Sequence, residues 1–600
     1  MPGLAQKLFH DREGISISKV SKWPLLDRML EMGALDYVDY SLTKILLKGI
    51  VDPSQELAAL LCHLSIAARM GHLCIQVTEN QILPDPVQLW SQEADQDPNI
   101  TNASQEDYEE IENLIRRSVD CIPSSLIDDP AGEAFPVRPL CRKGNLIYLQ
   151  RNWIAESTLL DSFRKILDQT PVISLDVHTI QKKLEETSLN EEQMQGVLKS
   201  CEVCFSVICG GPGTGKTHTA GQLIRMIWES MSGEIEIALA APTGKAAANL
   251  EKSLLRALPD LPLKAKTLHA LLGVRSQNRW QRPSEKLSAD VILVDESSMI
   301  DVNMMSRLFA SIKTGARLIL LGDPHQLPPV EAGSLFADIV HYLKKEKDER
   351  VIELQECLRT ELRSIVKFAE IVKKGDVAEG HQYLASAPLG IEFHPLAKSQ
   401  NPSRSIQMLL DHAVNHFPFK NEDPELLFEK FNQFRMLSPL RKGAFGVDAL
   451  NERFYRHLIK KAKGETFVAP IMLVNNDYRL NLFNGEVGIL IRKGSSEKSH
   501  LFSDEDVALF PGGEDGSFRQ FSALVLPKFE YAYCLSVHKS QGSEFDHILM
   551  ILPEGSENFG REVLYTGITR ARKKLELWTD ESILAATIQR QSHRQSGFSV

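Results

Sequence analysis

Gly210-Gly211-Pro212-Gly213-Thr214-Gly215-Lys216-Thr217 is the stretch from which the rest of this 600-residue chain is read. The run before it, Val203 to Cys209, is apolar and partly β-branched, as a buried strand is, and His218 to Met231 after it has the composition of a helix. A strand, a glycine loop and a helix in that order make a cradle for phosphate. Without side chains at Gly211, Gly213 and Gly215 the backbone curls so that successive N–H groups point at phosphate oxygens, and the first helical turn adds its positive dipole end. Lys216 then reaches the β- and γ-phosphates as a point charge, and the Thr217 hydroxyl is placed to ligate Mg²⁺. Gly211 to Thr217, with Pro212 and Thr214 among them, therefore imply a site for a nucleoside triphosphate, ATP with Mg²⁺.

The bulk properties bound what surrounds this site. The length suggests several domains of ordinary size. Charged residues at 24% and hydrophobic ones at 43% describe a soluble globular chain. A formal net charge of -11 argues against a surface that coats nucleic acid everywhere, while leaving room for a narrow basic channel. Nine scattered cysteines form no disulfide framework, and Cys201-x-x-Cys204 lacks a second pair at zinc spacing, so reduced structural thiols are expected. Met1 to Gly14 mixes Lys7, Asp11, Arg12 and Glu13 with no apolar core, so no signal peptide is expected. The apolar stretch Leu57 to Met70 carries His63 and Arg69 and is too short to span a bilayer. The expected setting is cytoplasmic, with no membrane partner.

Residues Pro24 to Ala68 show apolar residues at three-to-four spacing, from Leu26, Met29 and Leu30 to Leu57, Leu60, Leu61 and Leu64, which predicts helices. The acidic interval Ser91 to Glu112 reads as solvated surface. No catalytic constellation precedes residue 180, so residues 1–180 are expected to be a mainly helical docking domain. From Ser188 onward strands and helices alternate. Ile235–Ala241, Asp290–Val294 and Arg317–Leu321 have the apolar character of buried parallel strands, which gather ligands at their carboxyl ends.

Two further motifs fall at such ends. Asp290-Val-Ile-Leu-Val-Asp295-Glu296 is an apolar strand closed by two acids. Downstream of a phosphate loop, Asp295 suits a Mg²⁺ ligand and Glu296 the polariser of the attacking water. Gly322-Asp323-Pro324-His325-Gln326 follows another strand, and the Gln326 amide suits a sensor of the γ-phosphate. Together these motifs imply ATP hydrolysis as well as binding.

Ala241-Pro242-Thr243-Gly244-Lys245-Ala246-Ala247, Thr267-Leu268-His269, Asp295-Glu296 and Gly322 to Val330, in that order, resemble superfamily 1 helicases. Ser536-Val-His538-Lys-Ser540-Gln-Gly-Ser-Glu544-Phe545 and Leu564-Tyr-Thr-Gly-Ile-Thr-Arg570-Ala-Arg572 resemble the last motifs of the 5′ to 3′ branch, the RecD-like helicases. Leu57-Ala-Ala-Leu-Leu61 with Gly71-His-Leu-Cys74, and Tyr148-Leu-Gln-Arg151, resemble RecD, the α subunit of the bacterial RecBCD exonuclease V complex.

The resemblance implies an α/β fold of two RecA-like P-loop motor domains with parallel sheets, beside the helical N-terminal domain and a small SH3-like β-barrel insertion. It implies motor domain 1 over 181–350, with a small insertion near 273–288, and motor domain 2 over 351–463 and 527–600, split by the insertion at 464–526. There Asn484-Gly485, flanked by Val474–Leu482 and Val487–Ile491, is a hairpin signal. The strands Tyr531–Leu535, Ile548–Leu552 and Leu575–Trp578 are expected to return the chain to the parallel sheet.

Carried over residue by residue, the resemblance implies that Gln193 reads adenine, that Glu544 holds the ribose, and that Arg359 and Arg570 reach the phosphates from the second motor domain. Gln355 and Leu358 near Arg359 depart from the family's usual Thr and Phe. Thr243, Thr267, His269, Ser536, His538 and Ser540 match DNA-contacting positions, and Trp280 between Arg279 and Arg282 suits base stacking. The implied partners are single-stranded DNA, duplex DNA ends, and RecB-like and RecC-like subunits in a heterotrimer. No nuclease cluster is seen, so exonuclease activity is expected on a partner chain. A stand-alone helicase, and a structural subunit whose ATPase regulates assembly, remain open at this point.

Overall fold

The computed structural model describes residues 22–78, 80–94, 103–130, 136–231, 235–258, 261, 263–274, 286–357, 363–396, 402–420, 422–462, 465–477, 479–493, 502–512 and 517–598. Trp280, Arg279, Arg282, Leu358 and Arg359 lie outside them. The chain divides into two units, Met1–Trp153 and Ile154–Val600.

The first unit is built around the helix Gln55–Arg69. Ser54 caps its start by accepting the Leu57 N–H, and twelve of its residues are buried. A helix apolar on all sides must be wrapped on all sides. Pro24–Glu31, Tyr37–Leu46 and Gln105–Ser118 lie in the same contact network, and Trp90, Leu26 and Ile111 fill the core with it. The sequence reading did not anticipate the five-stranded sheet that completes this unit. It consists of β1 Cys74–Val77, β2 Ile82–Leu83, β3 Ile127–Asp128, β4 Leu140–Lys143 and β5 Leu146–Leu149, in the order β2-β1-β5-β4-β3. These strands are two to four residues long and give no alternation that a sequence window can register.

The second unit is an α/β fold with two parallel sheets. The first sheet comprises β6 Phe205–Gly210, β7 Ile237–Ala241, β8 Ala265–Thr267, β9 Val291–Val294, β10 Arg317–Gly322 and β11 Val351–Leu354, in the order β11-β6-β10-β9-β7-β8. Every pairing is parallel, for example Ile319 with Ser206 and with Leu293. Strands buried on both faces read as the continuous apolar runs seen in the sequence. Because β6, β10 and β9 are neighbours, the loops after Gly210, Gly322 and Val294 emerge side by side at one sheet edge.

The second parallel sheet has the order β12-β21-β20-β13-β19, formed by β12 Ile391–Pro395, β13 Phe434–Ser438, β19 Cys534–Ser536, β20 Phe545–Leu552 and β21 Ala571–Thr579. Between β13 and β19 the chain makes an antiparallel sheet of β14 Thr466–Leu473, β15 Val487–Lys493, β16 Val507–Pro511, β17 Phe518–Ser522 and β18 Phe529–Tyr531.

Two expectations are corrected here. The strand before Asn484-Gly485 is β14, not Val474–Leu482. The chain leaves the ladder after Leu473, makes one Asp477–Leu482 bridge, and rejoins where the Gly485 N–H donates to the Leu473 carbonyl, with Gly485 at φ +84°. Likewise Tyr531–Leu535 is not one strand. Tyr531 closes the antiparallel sheet against Ile471, and pairing with the parallel sheet begins at Cys534 against Met436. No described helix is long and apolar enough to cross a membrane.

Candidate nucleotide and DNA motor site

The phosphate loop has the backbone that its glycines permit. Gly213 and Gly215 sit at φ +79° and +83°, a region closed to most side chains. A Cβ on Gly210 would meet the Thr214 hydroxyl at 2.4 Å and the Leu354 carbonyl at 3.0 Å. The Thr214 hydroxyl is already used, donating to the Gly211 carbonyl at 2.8 Å. The Lys216 ammonium bridges the loop, donating to the carbonyls of Gly210 at 2.5 Å and Gly211 at 3.0 Å. Thr217 lies in the first turn of the helix Lys216–Ser230 and is half-buried. Among the described residues this donor set fits a nucleotide's phosphates: curled backbone, an ammonium held over the loop and a helix N-terminus with no side-chain cap.

Asp295 and Glu296 follow β9 directly. The Asp295 carboxylate accepts the Glu296 N–H at 2.8 Å, and Glu296 takes the left-handed backbone, φ +50°, before the turn Ser297–Met299. A non-glycine residue held there costs free energy that the surrounding structure must repay, as is common at functional sites. Burial, then the Glu296 charge, push the Asp295 carboxyl up, and Lys216 opposes them. A buried carboxylate crowded by a second acid is a setting that a divalent cation would relieve, with Asp295 as its ligand.

Asp323 is the hub of the third loop. Its carboxylate accepts the His325 N–H at 3.0 Å, the Gln326 amide at 3.3 Å and the Tyr565 hydroxyl at 2.9 Å. The Gln326 side-chain oxygen is buried and has no partner. A buried orphan acceptor is costly and marks a place where a ligand or water completes the set. Burial, reinforced by Lys373, lowers His325 to about 4, so its imidazole is neutral.

The first and third of these loops open on a cleft of about 400 Å³. Gly210, Gly211 and Thr214 line one wall, and Lys373, Tyr565, Thr569 and Arg572 the other. Two bonds beside the Asp323–Tyr565 contact join the walls. The Leu327 N–H donates to the Thr566 hydroxyl at 2.9 Å, and the Gln541 amide donates to the Leu327 carbonyl at 3.0 Å.

Other expected site residues stand differently. Gln193 is buried and engaged in both directions. Its amide oxygen accepts the Asn190 N–H in a capping box, and its nitrogen donates to the Thr214 carbonyl at 3.1 Å, so it braces the phosphate loop from behind. Arg570 is 4% exposed and donates to the Thr566 and Ser543 carbonyls at 3.2 and 3.3 Å, within its own lobe. Among the described residues Arg572 is the arginine that lines the cleft, and it holds Glu544 at 3.1 Å.

Thr243 and Thr267 are helix N-caps, accepting the N–H groups of Ala246 and Ala270, and His269 is exposed beside Thr267. Ser536 accepts the Lys539 N–H at 3.3 Å, and burial lowers His538 to about 4. Ser540 has no exposed surface and donates to the Val537 carbonyl at 2.7 Å, so here it is a turn residue, closed off from a strand of DNA. The sequence reading missed Tyr565, Thr566 and Gln541 as site residues although all three lie inside the quoted motifs. Their role is contact across the cleft, which no spacing along one strand reveals.

Known proteins fit this geometry. Residues 188–388 match the AAA domain family, and residues 531–577 match the UvrD-like helicase C-terminal domain family. The RecBCD enzyme subunit RecD of Mycolicibacterium smegmatis is 32% identical over 481 residues, spanning 76% of this chain and 82% of that one. The corresponding subunit of Haemophilus influenzae is 29% identical over 553 residues, spanning 80% and 83%. The ATP-dependent RecD2 DNA helicase of Deinococcus radiodurans is 28% identical over 441 residues, spanning 71% of this chain but 54% of its own length. Similarity that covers 82% of a RecD at 32% identity reaches well beyond the nucleotide motifs, and on that extent the chain belongs to the RecD family of ATP-dependent DNA helicases.

Proposed function

We propose that the chain is a Mg²⁺-dependent 5′ to 3′ motor, working as the RecD-like member of a heterotrimer with RecB-like and RecC-like chains on duplex DNA ends. The fuller coverage of RecD than of RecD2 favours the complex subunit over a stand-alone helicase. In this reading residues 464–526 are an SH3-like barrel beside the DNA path, and residues 1–180 dock the partners.

In the proposed cycle Lys216 and the loop N–H groups hold the phosphates, while Thr217 and Asp295 hold Mg²⁺. The ion, when bound, supplies charge that draws the phosphate oxygens together. Glu296 orients the attacking water and accepts its proton. Gln326 offers its unpartnered oxygen to that water and exchanges partners with Asp323 as the γ-phosphate departs. Arg570, and Arg359 outside the described residues, swing to the phosphoryl group as the lobes close, while Gln193 exchanges the Thr214 carbonyl for adenine and Glu544 exchanges Arg572 for the ribose. Thr243, Thr267, His269, Ser536 and His538 grip the DNA backbone in alternation.

The observation that carries the reading is the trio of bonds across the cleft, since they tie the loop that senses the γ-phosphate to the second lobe. The test is strand displacement on duplexes with a 5′ or a 3′ tail, by the wild type and by Lys216→Gln and Arg570→Ala. Unwinding of the 5′-tailed duplex alone, lost in Lys216→Gln, is expected. Arg570→Ala should retain nucleotide binding and lose about 10³-fold in hydrolysis, as arginine fingers do. Unwinding of 3′ tails overturns the polarity, and a loss below about tenfold removes Arg570 from the site.

A further inference from the structure

Away from the nucleotide cleft, one face of the second parallel sheet is polar where a strand pair should bury apolar side chains. On β21 the residues alternate Lys574-Leu575-Glu576-Leu577-Trp578: Leu575 and Leu577 enter the hydrophobic core, while Glu576 on the other face has no exposed surface. The register places Glu392 of β12 opposite Glu576 and His394 opposite Trp578, and His547 of β20 opposite Lys574. The helix Pro402–Ala413 brings His412 to the same face, and the following turn brings His416. Four imidazoles thus surround one buried carboxylate.

The two oxygens of Glu576 are not equivalent. Oε1 accepts from the Lys574 ammonium at 2.9 Å and lies 2.8 Å from His547 Nε2, so a resident cation already neutralises that side. Oε2 faces imidazoles, with His412 Nε2 at 2.7 Å and His394 Nε2 at 3.6 Å, and receives the Trp578 indole N–H at 3.4 Å. His394 Nε2 is buried without a hydrogen-bond partner. The donor atoms of His394, His412 and Glu576 all lie within 4.8 Å of one another.

We propose that His394, His412 and Glu576 form a site for a transition-metal dication of the zinc class at the β12 edge of the second lobe. Two imidazole nitrogens and one carboxylate are a ligand set that zinc accepts. Metal–ligand bonds of about 2.0–2.2 Å at tetrahedral angles put donors about 3.4 Å apart, and the distances of 2.7 and 3.6 Å bracket that spacing. His394 and His412 are about one-third exposed, which leaves the fourth position to water. Glu392, whose carboxylate lies 3.5 Å from His394 Nε2 and 2.8 Å from the Lys574 ammonium, adds negative charge beside the site. The histidine pair on the other side, His416 and His547, shares its carboxylate oxygen with Lys574, and the ammonium there repels a second ion. Bound metal would pin the helix Pro402–Ala413 to β12 and β21.

The test uses the full-length chain, freed of tags and stripped of metal, titrated with Co²⁺ and then Zn²⁺. Trp578 stacks on His394 at 4.7 Å, so its fluorescence should be quenched as Co²⁺ binds. The expected result is stoichiometric Co²⁺ with visible d–d absorption of a nitrogen and oxygen site, displaced by Zn²⁺, and a rise in melting temperature with Zn²⁺. His394→Ala and His412→Ala should each weaken binding about tenfold or more, since even changes behind the ligands cost that much. His547→Ala should bind Co²⁺ as the wild type does. DNA-stimulated ATP hydrolysis in all three variants, unchanged, reports an intact fold. Absence of d–d bands, or equal Co²⁺ binding by a His394→Ala/His412→Ala double variant, overturns the site and leaves the cluster as an ion-pair network.

Discussion

His63 lies inside the helix Gln55–Arg69 with no exposed surface, and its Nδ1 accepts the indole N–H of Trp90 at 3.2 Å. Burial lowers its pKa to about 4, because an imidazolium cannot be hydrated there. A base whose folded pKa is depressed leaves the unfolded chain holding more protons between the two values, so stability rises with pH across that window. The contribution is complete above about pH 6.5 and is lost as pH falls toward about 4, on the order of 3 kcal/mol. Amide exchange of the Gln55–Arg69 helix should therefore quicken as pH drops from 6.5, after correction for intrinsic rates. In His63→Gln, which keeps an acceptor for Trp90 without titrating, that extra dependence should vanish. Equal pH dependence in both proteins would move the proton uptake elsewhere.

At the scale of elements, the β insertion is held by close backbone contact at Gly488. A Cβ there would lie 2.6 Å from the Phe510 ring and 2.8 Å from the Leu509 carbonyl oxygen, and backbone cannot step aside. Gly488→Ala should destabilise the β14–β18 sheet by about 1–3 kcal/mol, the usual range for overpacking. Limited proteolysis within 466–531, with nucleotide binding retained, is the measurement, and unchanged protection would refute the packing argument. The same region shows what the sequence made legible. β6, β7, β9 and β10 were readable because buried parallel strands are continuous apolar runs, each ended here by a quoted motif. β14 was misplaced because Asn484-Gly485 drew attention to the turn, whereas the ladder resumes only after a thirteen-residue excursion from Val474 to Glu486. In the candidate nucleotide site, the placement of Lys216 at the start of a helix and of Asp295 at the end of β9 was legible from the motifs. The bracing role of Gln193 and the burial of Ser540 were not, because each depends on which neighbour a loop folds against.

For the whole of the motor unit, the decisive quantity is how strongly the Gly322–Val330 loop is linked to the second lobe. The links are Tyr565 to Asp323, Leu327 to Thr566 and Gln541 to Leu327, all buried. A hydrogen bond contributes about 0.5–1.5 kcal/mol net, so three amount to a few kcal/mol. Swinging a two-state equilibrium from 1:99 to 99:1 takes about 5.5 kcal/mol, so bonds of this size carry a large share of lobe closure without locking it. Tyr565→Phe and Thr566→Val remove two of them while leaving the phosphate loop, Asp295 and Glu296 untouched. The double variant should bind nucleotide about as well as the wild type and still hydrolyse it, but consume several-fold more ATP for each base pair unwound. Measuring hydrolysis and strand displacement in the same reaction gives that ratio directly. Loss of both activities in proportion would mean that these bonds support the catalytic geometry alone, and an unchanged ratio would mean that the lobes are coupled through other contacts.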